Sequence, residues 1–344
     1  MMRTSFLLLL LLAPLASAIG DPGTLNLYIW SEYIDPQVVK QFEKEHDAHV
    51  NIDVFEDAES MLAKIQGGGD ALYDIVVPPD HLVRAMIKLK LLSRLPHEHL
   101  PNIGNLDPKF MNLPHDPGNI YTVPYQWGTV GIYARTNPGT ALSRSWGLLF
   151  EPKVQPDSFV LIDSVRDMLG AALKYRGHSI NSTNPPELKE ARQLVLQAKS
   201  KALSFEGSVA GKNRVLARTA RAAIVYSGEG ARGMQEDPGT VYFIPEEGSQ
   251  VWVDNLAITA RAPHRALAEQ FINYILDARV GARISNFNQF STPNMASKPH
   301  IRPEDLANPT IYPPESMMKK LEFLSDLGMG NRLYDEIWTQ IKSR

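Results

Sequence analysis

Apolar residues in the first third of the chain recur in two alternating rhythms. Leu25-Asn26-Leu27-Tyr28-Ile29-Trp30 reads as a strand, and Asp35-Pro36 opens a helix, since Pro pre-sets φ at a first helical turn. Val38, Val39 and Phe42 give that helix its apolar stripe. From His49 to Phe55 the residues Val50, Ile52 and Val54 alternate as a strand. Asp57 can cap a helix carrying Met61, Leu62 and Ile65, which Gly67-Gly68-Gly69 stops. Tyr73-Asp74-Ile75-Val76-Val77 is a short strand bounded by Pro78-Pro79, and Asp80 begins the next helix. This β-α-β-α-β-α order predicts an α/β fold, a mostly parallel sheet with helices on both faces. Such sheets bind ligands beyond the carboxyl ends of their strands. Trp30 to Tyr33 and Pro79 to His81 both fall at that edge.

A second unit follows the extended, glycine-punctuated stretch Tyr121 to Tyr133. Ser158 to Ile162 reads as a strand leading into a helix from Ser164 to Tyr175, and Glu187 to Lys201 as a long amphipathic helix. Ala222 to Tyr226 is a strand ending at Ser227-Gly228-Glu229-Gly230. From Pro313 onward Met317, Leu321, Leu324 and Leu327 stand at helical spacing, so the tail is expected to be helical.

The first residues bear on location. Arg3, the apolar run Phe6 to Leu12 and the triplet Ala16-Ser17-Ala18 form a charged n-region, a short h-region and an A-x-A cleavage site. Residues 1–18 are thus expected to be a signal peptide cleaved after Ala18, with a periplasmic destination. The run is too short for a bilayer, which needs ~20 apolar residues, and no later segment would span one. The 344 residues include no Cys, so a hydrophobic core and not a disulfide framework must hold the fold. With 44% hydrophobic residues that core is ample, and the length suggests two domains. The formal charge of −3, with no basic block, argues against nucleic acid as a partner.

Two segments carry candidate chemistry. Trp30-Ser31-Glu32-Tyr33 puts two aromatic rings and a carboxylate at the mouth of the first strand, and Gln250-Val251-Trp252-Val253-Asp254 repeats that composition. Residues two apart in a strand point to one face, so Trp252 and Asp254 can look into one pocket. Aromatic faces with carboxylates suit a small organic cation: the ring quadrupole attracts the charge and the carboxylate accepts its N–H bonds.

The ordered segments Tyr28-Ile29-Trp30-Ser31-Glu32-Tyr33, Tyr73 to Pro78, Val123-Pro124-Tyr125-Gln126-Trp127-Gly128-Thr129, Ser145-Trp146, Trp252 to Ala257 and Thr292-Pro293-Asn294 resemble the periplasmic polyamine-binding proteins of ABC importers. The resemblance implies a two-lobed, type II-like clamshell. One lobe would be 24–132 plus 255–305 and the other 133–254, with the chain crossing near residues 130–135 and 255. C-terminal helices over 306–344 would pack back on the lobes. It also implies a polyamine or diamine in the cleft, a membrane permease as partner, a monomer, and no cofactor. Carried over by position, the ligand contacts are Trp30, Ser31, Tyr33, Asp167, Tyr226, Glu229, Trp252 and Asp254, with Glu32, His81, Asp163 and Phe290 around them. Four positions depart from the spermidine-type pattern, namely Pro79, His81, Ser164 and Leu324; their loss weakens the case for spermidine and leaves a site still rich enough for a diamine.

Other functions find little support. His97-Glu98-His99 has metal-like spacing but precedes Leu100-Pro101 as a turn, Gly67-Gly68-Gly69-Asp70 is no phosphate loop, and no Gly-x-Ser-x-Gly elbow exists. Neither an enzyme nor a metal site is expected. The rival ligand is a basic amino acid, whose carboxylate could use Arg166 or Arg232.

Overall fold

The structure is a computed structural model that describes residues 23–137, 139 and 141–343; the leader expected at 1–18 lies outside the described residues. Its strands, in chain order, are β1 (Gly23–Trp30), β2 (Ala48–Phe55), β3 (Ile75–Val76), β4 (Thr122–Arg135), β5 (Phe159–Ile162), β6 (Ser204–Glu206), β7 (Ala222–Tyr226), β8 (Thr240–Phe243), β9 (Gln250–Ile258) and β10 (Glu322–Phe323). They join in the order β2-β1-β3-β9-β4-β7-β5-β6, with β10 on β9 and β8 on β4.

The arms of this sheet are parallel: β1 with β2 and β3, and β5 with β6 and β7. Its middle is antiparallel. β4 pairs with β9 over Thr122 to Thr129 and then with β7 over Val130 to Ala134. Every residue of β9 and all but the last of β4 are buried, as expected of strands covered on both faces. Pro124 sits where the β4–β9 register shifts at a bulge, the place a central strand tolerates a missing N–H. The displaced Tyr125 hydroxyl then donates to the Tyr33 carbonyl at 2.9 Å, fixing the loop after β1.

Local signals in the first unit work as the residues suggest. Asp35 accepts from the Gln37 N–H at 2.8 Å with Pro36 opening the helix Pro36–His46, and Asp57 accepts from Ser60 at 2.6 Å at the start of Ala58–Gln66. Val50 is buried, whereas Ile52 and Val54 in the same alternation are 40% and 57% exposed. Ser227-Gly228-Glu229-Gly230, where the strand Ala222–Tyr226 ends, opens the helix Ser227–Glu236. The expectation of a helical tail is corrected: it is not helical throughout. After the short helix Glu315–Met318, β10 adds to the free edge of β9 and Glu322 takes a 2.7 Å ion pair from Lys174, before helix Gly330–Ser343 begins. Pairing open backbone groups outweighs helix periodicity over so few residues.

Asp74 ties the parallel arm to the middle. Fully buried, it accepts from the Asn26 N–H at 2.7 Å, from the His264 N–H at 2.5 Å and from the His264 ring at 3.1 Å. Removing it takes the partner from two backbone donors at partly buried positions. Asp74→Ala is therefore expected to lower stability by about 2–4 kcal/mol, read by denaturant unfolding; a loss under half a unit would show that water replaces the carboxylate there.

Candidate functional site

The carboxyl ends of both parallel arms face one another across a single cleft of about 900 Å³, solvent at its mouth included. From one side β1 delivers Trp30, Ser31 and Tyr33, β2 delivers Glu56 and Asp57, and β3 leads to Pro79 and His81. From the other, β5 delivers Ser164, Arg166 and Asp167, β6 leads to Ser208, and β7 delivers Tyr226 and Glu229. The floor is β9, whose Gln250, Trp252 and Asp254 all line the cleft, while Val251 and Val253 on its other face pack with Phe110 and Trp127.

The walls are aromatic. Trp252 meets Tyr226 and Phe290 edge-on, with ring centroids 5.7 and 5.2 Å apart, and Phe290 meets Tyr33 at 5.4 Å. Trp30 leans on Phe55 at 4.4 Å. Two glycines make room. A Cβ on Gly128, opposite Trp252 in the register, would stand 2.6 Å from the indole, and one on Gly228 would stand 2.6 Å from the Phe290 ring.

Three buried carboxylates face these rings, each with a different environment. Glu229 accepts from Arg232 at 3.0 Å and from the Ser208 hydroxyl at 3.2 Å. Asp167 accepts from the Tyr226 hydroxyl at 2.8 Å. Asp254 is 6% exposed, and among the described residues no lysine or arginine offsets its burial; the Tyr33 hydroxyl beside it completes no hydrogen bond of good geometry. Burial raises all three carboxyls above the usual carboxylate range, Asp254 furthest, where Asp80 and Asp167 add like charge. Burial also pushes the Tyr33 and Tyr226 hydroxyls well up, so both stay neutral donors.

Of the residues singled out from sequence, the structure gathers Trp30, Ser31, Tyr33, His81, Asp167, Tyr226, Glu229, Trp252, Asp254 and Phe290 on this cleft. Asp163 reaches the rim, but Lys342 holds its carboxylate at 2.7 Å. Glu32 is not among the lining residues: at φ 53° it turns outward, half exposed, and accepts from Arg232 at 3.0 Å. Sequence reasoning missed Glu56, Asp57, Glu59, Ser208 and Gln250. Carrying the β9 alternation two residues back would have found Gln250. His97 and His99 are taken up elsewhere, against the Asn119 carbonyl at 2.7 Å and Glu269 at 2.7 Å.

Arg166 and Arg232 are the guanidinium groups nearest these acids. Arg166 donates to Asn181 at 2.9 Å and to the Ser325 carbonyl at 3.2 Å, over the Tyr334 ring, and burial lowers its pKa. Arg232 bridges Glu32 and Glu229.

Known proteins share this architecture. A spermidine/putrescine-binding periplasmic protein of Salmonella typhimurium is 30% identical over 331 residues, covering 95% of this chain and 94% of its own. A putrescine-binding periplasmic protein of Pseudomonas aeruginosa is 32% identical over 344 residues, covering 94% and 93%. The structure of a putative spermidine/putrescine ABC transporter protein from Listeria monocytogenes superposes with a TM-score of 0.87 at 33% identity, over 93% of this chain and 99% of that one. With residues 37–310 also matching the family described as bacterial extracellular solute-binding protein, this chain belongs to that family and has the periplasmic-binding-protein fold.

Proposed function

We propose that this chain captures a linear diamine or polyamine and hands it to the permease of an ABC importer. The observation that carries this reading is Asp254, a buried carboxylate without a cation, beside Trp252 and Tyr33. An ammonium there donates charge-assisted hydrogen bonds to Asp254 and is attracted to the ring faces by cation–π interaction, and its methylenes lie against the aromatic wall. Asp167 and Glu229 supply further negative charge. The names of the relatives, spermidine/putrescine-binding and putrescine-binding, support the same ligand class. The basic amino acid reading is weaker, because Arg232 is taken by two carboxylates and the terminal nitrogens of Arg166 by the Ser325 carbonyl and Asn181.

On this reading the protein is an exported, monomeric receptor with no catalytic role and no cofactor, released by cleavage after Ala18. Residues 24–132 with 255–305 form one lobe, 133–254 the other, and 306–344 pack back on them. A ligand touching both arms favours a closed state through its differential affinity. Small-angle scattering should then give a smaller radius of gyration with amine than without; superimposable profiles at saturation would rule the hinge out.

Calorimetric titration of stripped protein with putrescine, cadaverine, spermidine and arginine tests the ligand class. At least one amine should bind, and arginine should not. Asp254→Asn keeps the shape but leaves a desolvated ammonium poorly paired, which costs ~2–5 kcal/mol, so affinity should fall ~30-fold to several thousand-fold. Asp163→Asn should change it far less. Wild-type affinity in Asp254→Asn would refute the reading.

The raised carboxyls give a pH dependence with a definite sign. Because Asp254, Asp167 and Glu229 hold protons more tightly folded than unfolded, the ligand-free protein loses stability as pH rises from about 4 through their raised values. A bound dication favours the ionised forms, so binding should release protons and tighten as pH rises across that window. Titration in two buffers of different ionisation enthalpy reads this directly. Net proton uptake on binding would contradict the assignment of these acids as ligand contacts.

A further inference from the structure

β9 carries three lining residues on one face, and the third has a polar group with nothing to do. Gln250 is 6% exposed, lies on the same face as Trp252 and Asp254, and its Oε1 is buried without a hydrogen-bond partner. A half-turn of the carboxamide exchanges the oxygen and the nitrogen, so the group can present its acceptor to the cleft. Nothing in the fold requires it, since the β9 backbone is paired on both sides without it.

The geometry points to Gln250 as a specificity-determining contact that accepts a hydrogen bond from a distal N–H of the ligand, so that the receptor selects amines long enough to reach it from Asp254. This inference rests on the amine-receptor reading above. Four residues of strand at about 3.3 Å each put the two Cα atoms ~13 Å apart, and side chains standing perpendicular to the sheet keep that separation. Trp252 lies midway on the same face and gives the intervening methylenes an apolar neighbour. A four-carbon diamine held at Asp254 is too short to touch both ends. The aminopropyl arm of a spermidine-type triamine brings a further nitrogen within reach. A site built to bond an N–H rejects ligands lacking it, because its own polar group is then left unpaired. Next along the tail, Leu324 lines the same end with an apolar side chain, and the cation there, Arg166, donates to the Ser325 carbonyl and to Asn181, so among these groups the Gln250 amide is the one that can offer an acceptor to an N–H.

The test is calorimetry on stripped wild type, Gln250→Met and Gln250→Glu with putrescine and spermidine. The wild type should bind spermidine more tightly than putrescine. Gln250→Met, similar in volume but without the acceptor, should weaken spermidine by roughly 10-fold or more and leave putrescine within about twofold. Gln250→Glu, which adds charge at the same place, should tighten spermidine. Unchanged spermidine affinity in Gln250→Met, or equal losses for both amines, would overturn the proposal. If thermal melting shows that Gln250→Met does not fold, Gln250→Glu decides: tighter spermidine binding supports the contact, and unchanged binding refutes it. Failure of the wild type to bind either amine would instead overturn the amine-receptor reading itself.

Discussion

Five helix N-termini converge on one cleft, and the rest of the site answers to that constraint. The helices Ala58–Gln66, Asp80–Lys88, Val165–Tyr175, Ser208–Leu216 and Ser227–Glu236 each begin just after a strand that ends at the cleft. Every such terminus presents free N–H groups and the positive end of its dipole, which favours anions. Left as it is, this architecture would hold a phosphate or a carboxylate. Here the chain fills the role itself: Glu59, Asp80, Asp167 and Glu229 stand in the first turns of four of those helices. Their negative charge offsets the dipoles, and Asp254 on β9 adds one that no dipole explains. The sign of the cleft is thereby inverted without any change of fold.

The second constraint is that β4 and β9 serve both arms at once. Because β4 leaves β9 at Thr129 and joins β7 at Val130, a single strand carries the sheet from one parallel arm to the other. The aromatic floor depends on what this pairing omits as much as on what it contains. Gly128 has no Cβ because Trp252 occupies that volume, and Gly228 lacks one for the sake of Phe290. The close-packed interior leaves no slack for either methyl.

Much of this was legible in the residues, and the losses have physical causes. Strand and helix starts in the first unit follow from capping and Pro geometry, which are local. The alternation of Trp252 and Asp254 follows from the two-residue period of a strand, and the resemblance to polyamine receptors led to the cleft acids Asp167 and Glu229. Ile52 and Val54 are exposed where Val50 is buried: alternation tells which residues share a face and not how far that face is covered. β10 was hidden because two residues suffice to complete a neighbour's open edge, too few to leave a periodic signal. Glu56, Asp57 and Glu59 look like any solvated cap until the opposing arm is in place, since only tertiary structure makes them walls.

A comparison among buried carboxylates separates those that hold the fold from those offered to a ligand. Asp116 accepts from the backbone of Ile120, Tyr121 and Thr122 and from the Thr122 hydroxyl, and Asp74 is similarly saturated. Such groups have their oxygens taken up by the fold's own donors and need nothing further. Asp254 is equally buried, yet the described residues give it no cation and no hydrogen bond of good geometry. A folded chain keeps a desolvated, unpaired carboxylate only at a cost. That cost falls in the ligand-free state and disappears when an ammonium arrives, so it adds to the difference between the two states and not to the stability of either alone. Affinity in this cleft therefore arises partly from strain the fold already carries, which is why the unsatisfied acid, and not the best-bonded one, marks where the ligand sits.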